Sequence, residues 1–151
     1  MKSKVVSGNA GSRTIVAVLD SGEEAFATLT QFANATGLSG ASLTAIGAFE
    51  SAEVGWFDIE TRSYRKIRVD EQCEVLSALG DIATGDDGKA SLHVHVVLGL
   101  SDGTTRGGHL LKGKVRPTLE VVLEEASAAL RRRKRPELGI ALIDLTGEAN
   151  R

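Results

Sequence analysis

The hydrophobic pattern of the chain changes period twice. Residues 13–20, RTIVAVLD, form a short β-branched run that predicts a strand. The period then lengthens. Ser21 followed three residues later by Glu24 reads as a capping box, and Ala25, Phe26, Leu29, Phe32 and Ala33 recur on one helical face. Gly37 is a natural stop, so one main helix is expected over about residues 22–36. Beyond it the chain breaks into short segments bounded by Gly, Ser, Asp or charges: 41–49, 52–60, 63–69, 73–83, 91–100, 106–113, 118–126 and 139–145. Many alternate apolar and polar residues at a period of two, and their close spacing suggests antiparallel meanders rather than βαβ units. TLEVVLEEASAALRRRK is ambiguous: its length suits a helix, while the alternation at Leu119, Val121 and Leu123 suits a strand. The expected class is α+β, a single domain built on a twisted, largely antiparallel sheet. Residues 1–12, rich in Gly, Ser, Lys and Asn, read as a flexible N-terminal arm, and residues 13–147 as the domain.

Composition narrows the function classes. With 18 basic and 20 acidic residues the net charge is −2, which argues against nucleic-acid binding by bulk electrostatics. RRRKR, Arg131 to Arg135, is the only dense basic run and reads as a solvated face or a local phosphate contact. The single cysteine, Cys73, excludes an intrachain disulfide and reads as a small buried side chain. No signal peptide or membrane span is evident, so a cytoplasmic protein without membrane partners is expected. Trp56 and Phe57 read as core or subunit-contact residues, and Gly85 to Gly88, GDDG, as a turn.

All three histidines lie in one 17-residue window, His93 to His109. On a strand, His93 and His95 point to the same face about 6–7 Å apart, close enough to converge on one ion at about 2.0–2.1 Å. Asp102-Gly103 is a plausible hairpin tip, and the return strand carries His109. Register decides whether the third ring joins. A two-residue loop puts His109 opposite Val96, on the wrong face; a three-residue loop puts it opposite Val97, on the histidine face. A shared metal therefore demands a loop of odd length, or a bulge at Gly107-Gly108. Three imidazoles with an open fourth position are the pattern of a catalytic or exchangeable zinc site, although other divalent transition metals suit the same ligands. The alternative is that these are partly buried strand histidines with hydrogen-bonded rings.

From Glu74-Val75-Leu76-Ser77 through His93-Val94-His95, Ser101-Asp102-Gly103 and Gly107-Gly108-His109-Leu110 to Glu120-Val121-Val122, the chain resembles the plant and prokaryote conserved (PPC) domain family. The likeness reaches nearly the whole chain. It implies a partial barrel related to acetolactate decarboxylase, a strand at TLEVVLEEA, assembly as a homotrimer, and a metal held by His93, His95 and His109. It also implies association with DNA. The AT-hook of plant members, an R-G-R-P motif, is missing here, since Lys134 to Leu138 reads KRPEL. Three functions compete: a DNA-associated regulatory module with zinc; a zinc-dependent lyase or hydrolase, with Arg116 or Glu120 binding a carboxylate or moving a proton; and a non-catalytic interaction module.

Overall fold

The computed structural model describes residues 1–146, so Gly147, the expected end of the domain, lies outside the described residues. One sheet holds nine strands: β1 (Lys2–Ser7), β2 (Thr14–Asp20), β3 (Gly40–Asp58), β4 (Ser63–Val69), β5 (Cys73–Thr84), β6 (Ala90–Gly99), β7 (Thr105–Glu125), β8 (Arg131–Arg135) and β9 (Ile140–Asp144). The helix α1 spans Ala25–Thr36. Strand β3 pairs with β5, β5 with β6, β6 with β7, and β7 returns to β3, all antiparallel. These four strands close a ring, and the remaining strands extend from it.

Two pairs of short segments merge into long strands. Residues 41–49 and 52–60 become the 19-residue β3, and residues 106–113 and 118–126 become the 21-residue β7. The polar and glycine breaks that look like strand ends are bends instead, marked by register shifts between β3 and β7 at Gly47/Phe49, Phe49/Ser51 and Glu53/Val54. The ambiguous TLEVVLEEA is strand, and its alternation is the one that counts: Leu119, Val121 and Leu123 are buried while Glu120, Val122 and Glu124 are exposed.

Helix α1 begins three residues later than expected. Glu24 is the N-cap rather than the far end of a capping box, because its carboxylate accepts from the backbone N–H groups of Phe26 and Ala27. The same carboxylate accepts from Gly113 N–H, which ties the helix start to β7. Gly37 ends the helix with φ 67°, and Leu38 N–H closes back on Ala33 O, a Schellman turn. Ala25, Leu29 and Ala33 are buried, packing α1 onto β7 and β6 over the sheet's inner face. That face supplies the core, with Leu43, Phe49, Ile82, Val94, Leu98, Val121 and Leu123 almost fully covered. Cys73, 2% exposed, joins it as expected.

Part of the loose N-terminal arm is ordered. Residues 2–7 form β1, paired with β2 from Lys2↔Val18 to Ser7↔Thr14. Its backbone is satisfied by β2 while every β1 side chain remains exposed, which explains why the segment carries no apolar signature. Trp56 is likewise no core residue: it is 53% exposed with the Arg65 guanidinium 5.1 Å from its ring centroid.

Candidate metal centre

Alternation along β6 sends Leu92, Val94, Val96 and Leu98 into the core and His93, His95 and Val97 outward. The β6–β7 connection is Leu100–Thr104, five residues, closed by Leu100 N–H on Thr104 O and Gly103 N–H on Leu100 O. The length is odd, which brings His109 to the histidine face as the register argument demands. The two-residue hairpin tip is too short, and no bulge separates the histidines: His95 pairs directly with His109, followed by Val96↔Gly108 and Val97↔Gly107. The glycines serve close packing instead. A Cβ on Gly108 would stand 2.7 Å from Gly55 O on β3.

The three rings face one another. His93 and His95 Nε2 atoms are 3.0 Å apart, ring centroids lie 4.9–5.4 Å apart, and one nitrogen from each ring falls within 4.8 Å of the others. Two nitrogens on a tetrahedral ion at 2.0–2.1 Å stand roughly 3.3 Å apart, so the first pair is already at ligand spacing. Tyr64 on β4 stacks on the His109 ring at 5.0 Å, and Phe57 braces Tyr64 edge-on at 5.1 Å. Burial, with repulsion from any proton on His93 or His95 and from Arg132 adding to it, pushes the His109 pKa from 6.5 down to about 4. Burial also lowers that of His93; Arg132 and His95 add to the effect and Asp81 opposes it. Burial thus favours the neutral form of both rings, the form whose lone pairs can bind a metal. His109 Nδ1 is buried without a protein hydrogen-bond partner. An orphaned ring nitrogen among converging imidazoles fits a divalent transition metal, and His93, His95 and His109 would hold it.

Behind His93 lies a group that the sequence reading missed. Asp81 on β5 pairs with His93 across the ladder and sets Oδ2 3.9 Å from its Nδ1. The other Asp81 oxygen accepts from Arg132, whose second terminal nitrogen donates to Ser91 O at 2.9 Å and reaches Ser91 Oγ at 3.3 Å. Arg132, 4% exposed, overturns the reading of RRRKR as a solvated face. The run is strand β8, and two more of its arginines, Arg133 and Arg135, pair with Asp144. Asp81 was recoverable in principle, since the turn at Gly85 fixes the β5–β6 register. Nothing in the basic run marks Arg132 as buried.

The two weaker candidates stay apart from the trio. Arg116 and Glu120 lie seven and eleven residues beyond His109 on β7, roughly 23 and 36 Å along a strand. Glu120 pairs with Val18 and Ile46 instead. Two surface cavities, about 340 and 470 Å³, are lined by other residues, the smaller by Arg132 and Ser91 among others.

The chain is thus a partly ringed, largely antiparallel sheet with three converging histidines on its outer face. The chain matches the profile of the Plants and Prokaryotes Conserved (PCC) domain over residues 6–127. It belongs to this family. A PPC protein from Pyrococcus horikoshii is 30% identical with a TM-score of 0.82, over 87% of this chain and 91% of that one. A metal-containing protein from Archaeoglobus fulgidus is 31% identical with a TM-score of 0.80, over 95% and 99%. A protein from Bacteroides thetaiotaomicron, provisionally named as DNA-binding, is 25% identical with a TM-score of 0.82, over 91% and 94%. A Staphylococcus aureus protein of unknown function, similar to α-acetolactate decarboxylase, shares the fold at 14% identity and a TM-score of 0.55; this chain spans 53% of it. No match was found among curated proteins. Among the described residues no helix is long and apolar enough to cross a membrane.

Proposed function

We propose that this chain is a regulatory PPC-domain module that holds one divalent transition-metal ion, zinc or another ion that imidazoles suit, on His93, His95 and His109. The observation that carries this reading is the convergence of three ring nitrogens within 4.8 Å, one ring having an orphaned buried nitrogen. A metal-containing relative at 31% identity supports it. Such an ion would supply Lewis acidity. The trio would fix the ion, and Tyr64 would hold the His109 ring.

Assembly as a homotrimer in the cytoplasm completes the proposal. Support for self-association comes from the sheet's outer face, where Val16, Val122, Thr44, Leu79, His95 and His109 form one row through successive pairings. Leu79 is 59% exposed, and Ile46 and Leu76 are exposed as well. DNA association is supported by provisionally named relatives. It is the more restricted part of the proposal, because Arg132, Arg133 and Arg135 are engaged with Asp81 and Asp144. A module without its own catalysis is favoured over a zinc enzyme: Asp81, the carboxylate beside the trio, is tied to Arg132, and Arg116 and Glu120 are remote.

Metal analysis of untagged protein tests the site. About one ion per chain is expected, lost in His93→Ala. A content far below one, unchanged by that substitution, would sink it. Light scattering should return three times the 15.9 kDa chain mass. Mobility shift on random duplex near ~50 mM salt probes DNA where electrostatic affinity is strongest, and no shift there removes that part.

A further inference from the structure

Asp81 and Arg132 form a relay that ends on a proposed metal ligand and begins on the C-terminal hairpin. The hairpin, β8 with β9, lies outside residues 6–127 of the family match. It joins the rest of the sheet through one parallel pairing, Thr84↔Arg131, and the bond from Thr84 N–H to Leu130 O. Lys134 N–H adds a bond to Asp86 at 3.0 Å. Arg132 is the one buried side chain of β8, 4% exposed, and it reaches β6 at Ser91 and β5 at Asp81. A guanidinium so buried needs a carboxylate, and Asp81 answers it with one oxygen. The second oxygen is left facing His93.

The geometry around His93 is directional. Its Nε2 is 3.0 Å from His95 Nε2, inside the trio, and its Nδ1 faces Asp81. At 3.9 Å the carboxylate makes no direct hydrogen bond, but an acceptor-only negative group at that distance favours the tautomer with hydrogen on Nδ1 and leaves the Nε2 lone pair pointing into the trio. We propose that Asp81 is a positioning residue that selects the Nδ1–H tautomer of His93, and that Arg132 fixes Asp81, so that the C-terminal hairpin sets the metal affinity of the histidine trio. The inference rests on the metal reading above but is testable apart from it. In the metal-free protein the 3.0 Å contact then has His95 as the donor and His93 as the acceptor.

Long-range 1H–15N NMR of the imidazoles in metal-free protein reads the tautomer directly. His93 should be Nδ1–H in the wild type and shift toward Nε2–H in Asp81→Asn, where an amide N–H₂ can face the ring. A wild-type His93 that is Nε2–H overturns the inference, whether or not any metal binds and whether or not the variant folds. Chelator competition with zinc supplies the second arm, using wild type, Asp81→Asn, Arg132→Leu and the double variant. Asp81→Asn should weaken binding about 10–100-fold. Arg132→Leu should change the affinity when Asp81 is present and leave it within about twofold when Asp81→Asn is already in place. The double variant removes both charges and keeps the fold measurable. Unchanged affinity in Asp81→Asn, or an equal effect of Arg132→Leu in both backgrounds, overturns the relay. Wild type that binds no zinc sinks the metal reading and the affinity claim together, while the tautomer result still stands or falls alone.

Discussion

At its C-terminal end β7 buries Leu119, Val121 and Leu123 and exposes Glu120, Val122 and Glu124 between them. It finishes on Glu125, which takes the Arg13 guanidinium through two bonds of 2.7 Å and also accepts from the backbone N–H groups of Gly11 and Arg13. At its N-terminal end the same strand presents Gly107, Gly108 and His109, and leaves a buried ring nitrogen unpaired. The Arg–carboxylate pair that closes the first end and the one beside the histidine trio, Asp81 on β5 with Arg132 on β8, differ in the same sense. Glu125 has its oxygens turned onto the clamp it closes, whereas Asp81 has one oxygen left over for His93 and Arg132 keeps a buried Nε without a partner. Full satisfaction marks a group whose work is holding the fold. Incomplete satisfaction marks one arranged for something else, because an unpaired buried polar atom is costly and persists where it is used.

The largest effects should separate these two ends. Leu123→Ala, at a side chain with no exposure, should cost about 2–5 kcal/mol in urea unfolding of metal-free protein. The folded fraction should still bind zinc as the wild type does. His109→Ala should do the reverse, abolishing stoichiometric zinc while costing under about 1 kcal/mol in the metal-free protein, since it removes little beyond the stack on Tyr64. A His109→Ala protein as unstable as Leu123→Ala would make the trio an ordinary part of the core.

Glu125→Ala comes next, with a loss of about 1–3 kcal/mol from the stripped Arg13 pair and unchanged zinc stoichiometry. The acid side of the stability curve sharpens the same contrast. His109 titrates near 6.5 unfolded and about 4 folded, so the unfolded chain binds the extra proton between those values. Metal-free stability should therefore fall as pH drops from about 6.5 to about 4, and a His109→Asn variant should flatten that segment. The Glu125 carboxyl is held below its ordinary 4.5 by its bond to Arg13, so its contribution is present above 4.5 and is lost as pH falls below it. Thermal melts across pH in chelator should show the two ends of β7 failing in order, the histidine end first. A decline confined below pH 4.5 would contradict the burial of His109.

How much of this was legible depended on whether one strand or several held the information. The helix and its Gly37 stop are local, and so is the alternation that sends His93 and His95 to one face. Loop parity said what would bring His109 to them, an odd connection or a bulge, but which of these the chain uses is visible only in the pairing of β6 with β7. The length of β7 was not local. Its glycine and polar breaks look like ends until β3 is seen to bend alongside, and a capping Glu24 looks like the tail of a capping box until its carboxylate is seen to accept from Phe26 and Ala27 N–H. Arg132 was the least legible residue. Five consecutive basic residues carry no period that distinguishes the one turned inward, and its partner Asp81 lies 51 positions away.

The smallest effect concerns the ring stacked on His109. Tyr64 meets it at 5.0 Å with 26° between planes, and Gly55, opposite His109 on β3, leaves the room: a Cβ there would stand 2.6 Å from the Tyr64 ring. If the stack orients the imidazole, shape matters and the hydroxyl does not. Tyr64→Phe should keep zinc affinity within about twofold, and Tyr64→Leu should weaken it several-fold by loosening one ligand of three. Neither should approach the loss in His109→Ala. Titration against a chromogenic chelator distinguishes the three. A Tyr64→Phe protein that binds as poorly as Tyr64→Leu would show that the phenol oxygen, and not the ring, serves the site, and would extend the incompletely satisfied end of the molecule by one residue onto β4.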